Sequence, residues 1–132
     1  MKIKPLKKNS EFVAFVSDIN LKYKLNKSEI NTLQKSIDKF GVLVFRNQSL
    51  SDDEQVDFSE YFGNIEHSGK KSNITKDSDR RLSTKLADVS NIDKKSNVFK
   101  KNDPRRIFNL GNRLWHSDSS FKKNPAKYSI LS

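Results

Sequence analysis

Residues 110–121 read Leu110-Gly111-Asn112-Arg113-Leu114-Trp115-His116-Ser117-Asp118-Ser119-Ser120-Phe121, and they hold one of the two histidines of the chain. A carboxylate follows that histidine two residues later. Side chains alternate between the two faces of a β-strand, so an extended conformation predicts that His116 and Asp118 point the same way. Such a pair supplies two of the three ligands in the arrangement of two histidines and one carboxylate that holds Fe(II) and leaves positions open for oxygen and a substrate.

The flanking residues strengthen this interpretation. Trp115 falls on the opposite face of the predicted strand, where it is expected to anchor the strand in a core. Asn112 falls on the His116 face if the strand extends that far, and residues 125–132 indicate a second extended run. The alternative interpretation of His116 is a structural histidine whose ring nitrogens are satisfied by hydrogen bonds.

Two segments of the chain resemble a known enzyme family. They are residues 109–121 and the apolar run Phe40-Gly41-Val42-Leu43-Val44-Phe45-Arg46. Together they resemble the taurine dioxygenase / 2,4-dichlorophenoxyacetate dioxygenase (TauD/TfdA) family of Fe(II)- and 2-oxoglutarate-dependent oxygenases, and residues 109–121 look closest to the herbicide-dioxygenase branch. The resemblance spans about Phe12 to Ser132.

The resemblance implies an α+β fold, namely the N-terminal part of a double-stranded β-helix, or jelly roll, with flanking helices. Residues 1–132 are then expected to form a single partial domain, the N-terminal half of such an oxygenase. The family's downstream histidine ligand, the threonine after the His-x-Asp strand and the distal arginine that pairs with 2-oxoglutarate have no counterpart in this sequence. We therefore expect a truncated chain, inactive or incomplete as given, with open strand edges.

The resemblance also implies an activity for the intact protein. It implies that Fe(II) is bound by His116, Asp118 and a later histidine, with 2-oxoglutarate and O2 as cosubstrates that yield succinate and carbon dioxide. The expected reaction is hydroxylation of a small anionic organic substrate, such as a sulfonate, an aryloxy acid or another carboxylate. Full-length relatives are expected to be homo-oligomers.

Three further residues are candidate substrate contacts. Asn112 matches a position that contacts substrate in the taurine branch, with a structural hydrogen-bonding role as the alternative. Ser119 follows the aspartate directly and could approach the substrate through its backbone. His67 lies upstream, where the family places substrate-binding groups; it is alternatively an exposed loop histidine or, least favoured by the family order, a metal ligand.

Composition sets outer limits on function. Lys and Arg number 26 against 16 Asp and Glu, a net charge of +10, so the alternative function is a small basic domain that binds nucleic acid or an acidic partner without catalysis. The lysines are dispersed and no nucleic-acid motif appears, so we expect no nucleic-acid partner. The chain lacks cysteine, and no apolar run approaches the roughly 18 residues of a membrane span. A cytoplasmic, soluble protein is predicted.

Local signals predict the elements around the site. Asn26 with Glu29 and Ser51 with Glu54 match helix-capping patterns, and Gly41 and Gly63 are typical helix stops. Residues 12–16 and 42–45 are predicted strands, the second covered on both faces. The start up to residue 11 is expected to be a loose end, residues 64–81 and 93–106 polar loops, and residues 82–92 a weaker strand.

Overall fold

The computed structural model describes residues 1–9, 11–66, 76–120 and 122–132. The chain divides into two compact units. The first comprises residues 1–63 with Ser132, and the second comprises residues 64–131. Among the described residues, no helix has the length and apolar character needed to cross a bilayer.

A three-stranded sheet with the order β1-β2-β3 forms the first unit's framework. Strand β1 (Lys2–Pro5) pairs antiparallel with β2 (Val13–Ser17), and β2 pairs parallel with β3 (Val42–Phe45). Parallel neighbours need a long crossover, and helix α1 (Lys27–Phe40) lies in the segment between them. The predicted strands at 12–16 and 42–45 are thus confirmed to within one residue.

Helix α1 begins and ends where its sequence predicts. The Asn26 side chain accepts from the Glu29 backbone N–H at 3.0 Å, and the Glu29 carboxylate accepts from the Asn26 N–H at 3.0 Å. At the other end Gly41 has a φ of +70° and donates its N–H to Ile37. Leu33 and Phe40 are buried on the apolar stripe of this helix.

Helix α2 (Asp52–Glu60) starts at the predicted Ser51–Glu54 capping box. Its buried Phe58 is the centre of an aromatic cluster with edge-on ring contacts of 5.4–6.3 Å to Phe45, Tyr61 and Phe62. Tyr61 also joins the two helices, because its hydroxyl accepts from the Leu25 N–H at 3.2 Å and its carbonyl accepts from Gln34 at 3.0 Å. These ring contacts pack α2 against β3.

Two predictions for the first unit were wrong. Residues 2–5 are not a loose end, because an antiparallel neighbour satisfies their backbone. Strand β3 is not covered on both faces, because it lies at an edge of the described sheet and none of its residues is buried.

The second unit contains short helices and turns. A 3-10 helix spans Asp77–Asp79, helix α3 spans Pro104–Asn109, and a further 3-10 helix spans Leu110–Arg113. The strand predicted at 82–92 was wrong: only an isolated bridge joins Ile92 to Val98 around a tight turn. The loop predicted at 93–106 ends earlier than expected, because Pro104 begins α3 after the Asp103 cap.

The core of the first unit makes a testable prediction. Leu33 is completely buried, and truncation of such a leucine removes apolar contacts and leaves a cavity. We expect Leu33→Ala to lower the free energy of unfolding by about 2–5 kcal/mol in urea titrations. Lys35→Ala, on the exposed side of the same helix, is the control and should change it by less than about 0.5 kcal/mol. Equal effects of the two variants would contradict this account of the core.

Candidate metal site

The candidate site follows helix α3 in the chain. Asp103 caps the start of this helix by accepting from the Arg105 backbone N–H at 2.9 Å, and it also accepts from the Arg105 guanidinium at 2.8 and 3.0 Å. The guanidinium lowers the pKa of Asp103 to about 2. Asn109, the last residue of α3, donates to the Ser90 carbonyl at 2.7 Å and ties the helix to the preceding loop. The chain then passes through the 3-10 helix and becomes extended at Leu114.

His116 makes a hydrogen-bonding contact through each ring nitrogen. Nδ1 lies 2.8 Å from the Leu114 carbonyl oxygen, and Nε2 lies 3.1 Å from Oδ1 of Asp118. A carbonyl only accepts, so Nδ1 carries a proton and Nε2 is the nitrogen that faces the carboxylate. The Leu114 carbonyl, with Asp118 as a further cause, raises the pKa of His116 above its ordinary value.

Asp118 is oriented by a second contact. Its Oδ2 accepts from Ser129 Oγ at 3.1 Å, which leaves Oδ1 directed at His116. Both side chains of the pair are substantially exposed, at 45% for His116 and 64% for Asp118. The pair is therefore accessible to an ion from solvent.

This donor set fits a divalent metal ion. A backbone acceptor on Nδ1 fixes the tautomer that presents Nε2, which is the usual support for a metal-bound histidine. The adjacent carboxylate oxygen is a suitable hard ligand for Fe(II) or Mn(II). Within the described residues, no group of three or more His, Cys, Asp or Glu side chains could hold a metal ion. The chain therefore brings together two donors of the predicted set.

The pair meets, but the predicted β-strand was wrong. Residues 115–117 have no regular secondary structure and residues 118–120 form a turn, so strand alternation does not align the two side chains. Residues 125–132 likewise form no described strand. Trp115 is fully exposed rather than anchored in a core. The physical reason is that the described part of the second unit offers no paired strands that could hold this segment extended or cover an indole.

The three candidate substrate contacts have different outcomes. Asn112 lies in the 3-10 helix at Leu110–Arg113 and is exposed, so the strand argument that placed it beside His116 does not apply. Ser119 directs its hydroxyl to the Glu66 carboxylate, 3.0 Å from each oxygen. His67 lies outside the described residues. Their roles in substrate binding stay predictions.

Sequence reasoning missed the residues that support the pair. Glu66 lies in a stretch predicted only as a polar loop, and Ser129 in one predicted only as an extended run. Their contacts with Ser119 and Asp118 span 53 and 11 residues of sequence. No spacing rule connects positions so far apart, so only the three-dimensional structure could reveal them.

The second unit also contains a cavity of about 240 Å³ between residues 79–92 and α3. Apolar side chains and arginines both line it. Arg81 binds Asp88 through two hydrogen bonds of 2.7 and 3.0 Å, and Arg105 is paired with Asp103. Carboxylates thus compensate these two guanidinium charges. The lining residues include Leu82, Leu86, Ile92, Phe99 and Phe108.

Comparison of the chain with known proteins shows the family to which it belongs. Two curated relatives are named alpha-ketoglutarate-dependent 2,4-dichlorophenoxyacetate dioxygenase. The one from Cupriavidus pinatubonensis is 38% identical over 121 residues, which cover 92% of this chain and 42% of the relative. The one from a Burkholderia species is 36% identical over 121 residues, which cover 92% of this chain and 40% of the relative.

A solved structure agrees with these relatives. It is the crystal structure of AAD-2 in complex with Mn(II) and N-oxalylglycine, with 40% identity and a TM-score of 0.85 over 96% of this chain and 43% of that one. The chain thus spans about two-fifths of the length of the proteins it matches. The sequence model of the taurine catabolism dioxygenase TauD, TfdA family matches residues 2–132, so the chain belongs to this family.

Proposed function

We propose that this chain supplies two metal ligands of an Fe(II)- and 2-oxoglutarate-dependent dioxygenase. The observation that carries the proposal is the contact of 3.1 Å between His116 Nε2 and Asp118 Oδ1, with Nδ1 occupied by the Leu114 carbonyl. The named activity of the curated relatives supports the same class. No comparable support from family membership favours the alternative of a basic nucleic-acid-binding domain.

The role of each residue follows from its contacts. When bound, Fe(II) together with 2-oxoglutarate supplies the oxidising chemistry that activates O2 for hydroxylation of a C–H bond. His116 offers its Nε2 lone pair once the proton on that nitrogen is lost. Asp118 offers Oδ1 while Ser129 holds Oδ2. The third ligand and the arginine for 2-oxoglutarate are proposed to lie in the part of the relatives that this chain does not span.

The proposed substrate is a small organic anion. The relatives' named substrate, 2,4-dichlorophenoxyacetate, is an aryloxy carboxylate, and a sulfonate or another carboxylate has the same charge at one end. The net charge of +10 supports an anionic substrate, since it raises the local concentration of anions. N-oxalylglycine, bound in the AAD-2 crystal structure, has the carbon skeleton of 2-oxoglutarate with one methylene replaced by NH, which supports the proposed cosubstrate.

The proposed fold of the whole enzyme is the double-stranded β-helix, with residues 1–132 as its N-terminal half. The TM-score of 0.85 to the AAD-2 structure supports this proposal. The homo-oligomeric assembly and cytoplasmic location expected from the sequence stay predictions.

Metal binding tests the site. We expect the chain to bind Mn(II), measured by the loss of the free-ion signal in electron paramagnetic resonance. His116→Ala and Asp118→Asn should each raise the dissociation constant at least about tenfold, because each removes one of two donors. Asp57→Asn, an exposed carboxylate on α2, is the matched control and should bind as the unmodified chain does. Equal binding by all four proteins would refute the site.

Cosubstrate binding tests the enzyme class. A 2-oxo acid can chelate a metal through its keto and carboxylate oxygens, whereas succinate has the same terminal carboxylates without the keto group. We therefore expect calorimetry to detect 2-oxoglutarate binding that requires Mn(II) and exceeds succinate binding. Identical binding of the two acids, or binding without metal, would count against a 2-oxoglutarate-dependent enzyme.

The pH dependence of metal binding follows from His116. The pKa of His116 is raised in the folded chain. The interaction of protonated His116 with Asp118 is therefore fully present below the ordinary histidine pKa, and it is lost as the pH rises through the pKa of the folded chain. The metal requires the deprotonated nitrogen, so its affinity changes in the opposite direction and increases with pH. We expect Mn(II) affinity to increase between about pH 6 and pH 8. A flat profile would show that His116 Nε2 is not a ligand.

A further inference from the structure

A carboxylate from far upstream holds the turn that follows Asp118. Ser119 Oγ lies 3.0 Å from each oxygen of Glu66, and Lys122 forms an ion pair with the same group. The Lys122 ammonium, then the Ser119 hydroxyl and, to a smaller extent, the Ala126 N–H lower the pKa of Glu66. Glu66 is therefore an anion at neutral pH, and it receives hydrogen bonds from three positions on the segment that carries the site.

The backbone of this turn needs such support. Ser119 has a φ of +55°, a left-handed conformation that a residue with a side chain adopts at an energetic cost. Conformations of this kind persist where surrounding contacts hold them. The Lys122 N–H closes the turn on the Ser119 carbonyl at 2.9 Å, and Glu66 binds the side chains of both residues. Asp118 immediately precedes Ser119, so its direction depends on this turn.

Apolar packing does not supply the same support. All the buried hydrophobic side chains of the described residues lie between Ala14 and Phe58, in the first unit. Within residues 64–66, 76, 78–120 and 122–131, no side chain is buried in this way. Polar contacts are thus what fixes the position of Asp118.

We propose that Glu66 is a positioning residue for the metal site. It holds the turn at Ser119 and Lys122, and thereby fixes the direction in which Asp118 presents Oδ1 beside His116. Ser129 completes the arrangement by binding the other carboxylate oxygen. This inference rests on the proposed function, since it requires Asp118 to be a metal ligand.

Mn(II) affinity of the folded chain tests the proposal. Glu66→Ala removes all three contacts and should raise the Mn(II) dissociation constant about tenfold, in the range found for residues that orient metal ligands. Glu66→Gln keeps an amide oxygen that can accept from the Ser119 hydroxyl. Its Mn(II) dissociation constant should lie between those of the unmodified chain and Glu66→Ala. The matched control is Glu11→Ala, which removes another exposed glutamate paired with a lysine, Lys39 at 3.7 Å, and should leave the affinity unchanged.

Amide hydrogen exchange provides a readout that needs no metal. The Lys122 amide should exchange faster in Glu66→Ala than in the unmodified chain or in Glu11→Ala. Protection of the Leu33 amide, in the first unit, should be the same in all three proteins and shows that this unit remains folded.

The outcomes separate the two proposals. If Glu66→Ala binds Mn(II) as tightly as the unmodified chain while His116→Ala binds at least about tenfold more weakly, the positioning role is overturned and the metal site stands. If His116→Ala also binds Mn(II) like the unmodified chain, the metal assignment fails, and the role of Glu66 fails with it.

Discussion

In the part of the chain that the structure describes, burial of apolar side chains is confined to the first unit, and this constraint decides how the candidate site is held. Eight hydrophobic residues between Ala14 and Phe58 are buried, around the sheet and its two helices. Such packing is non-directional but cumulative, and it fixes elements without precise hydrogen bonds. The described part of the second unit relies instead on directional contacts, namely the Arg81–Asp88 pair, the Asp103 cap and the Glu66 contacts. Contacts of this kind are partly exposed and individually weak, so the second unit is expected to open locally more readily than the first.

The same division explains which elements the sequence could predict. In α1 and α2 the caps, the helical spacing of apolar residues and the stop signals agree with one another, and such agreement specifies structure well. Strand β1 was missed because Lys2 and Lys4 give it the polar character of a tail. Lysines and a terminal proline are nevertheless what protects an edge strand from pairing with other chains. The sequence signal of β1 was therefore present but was assigned to the wrong structure.

The pair of His116 and Asp118 shows how a correct prediction of a contact can follow from the wrong local geometry. The His-x-Asp spacing predicted that the two side chains meet, and they do, at 3.1 Å. Strand alternation is not the cause. An extended residue at Leu114 and a left-handed Ser119 bracket the pair, and a carbonyl, a hydroxyl and a distant carboxylate orient it. Spacing could predict this contact because both members of the pair lie within one short segment. The supporting residues could not be identified because their contacts depend on the folded chain.

The contact between His116 and Asp118 also bears on the proposed binding of a cation by a basic protein. Nε2 and Oδ1 lie 3.1 Å apart without a metal ion, so the two donors are already adjacent before any ion arrives. The proposed metal ion would therefore not have to assemble the pair from separate positions, which would reduce the entropy lost on binding. Asp118 offsets one of the ion's two charges. The proposed anionic cosubstrate and substrate would then meet a chain whose net charge is +10 without the ion and +12 with it. Under the proposed function, binding of the cation would therefore favour binding of these anions.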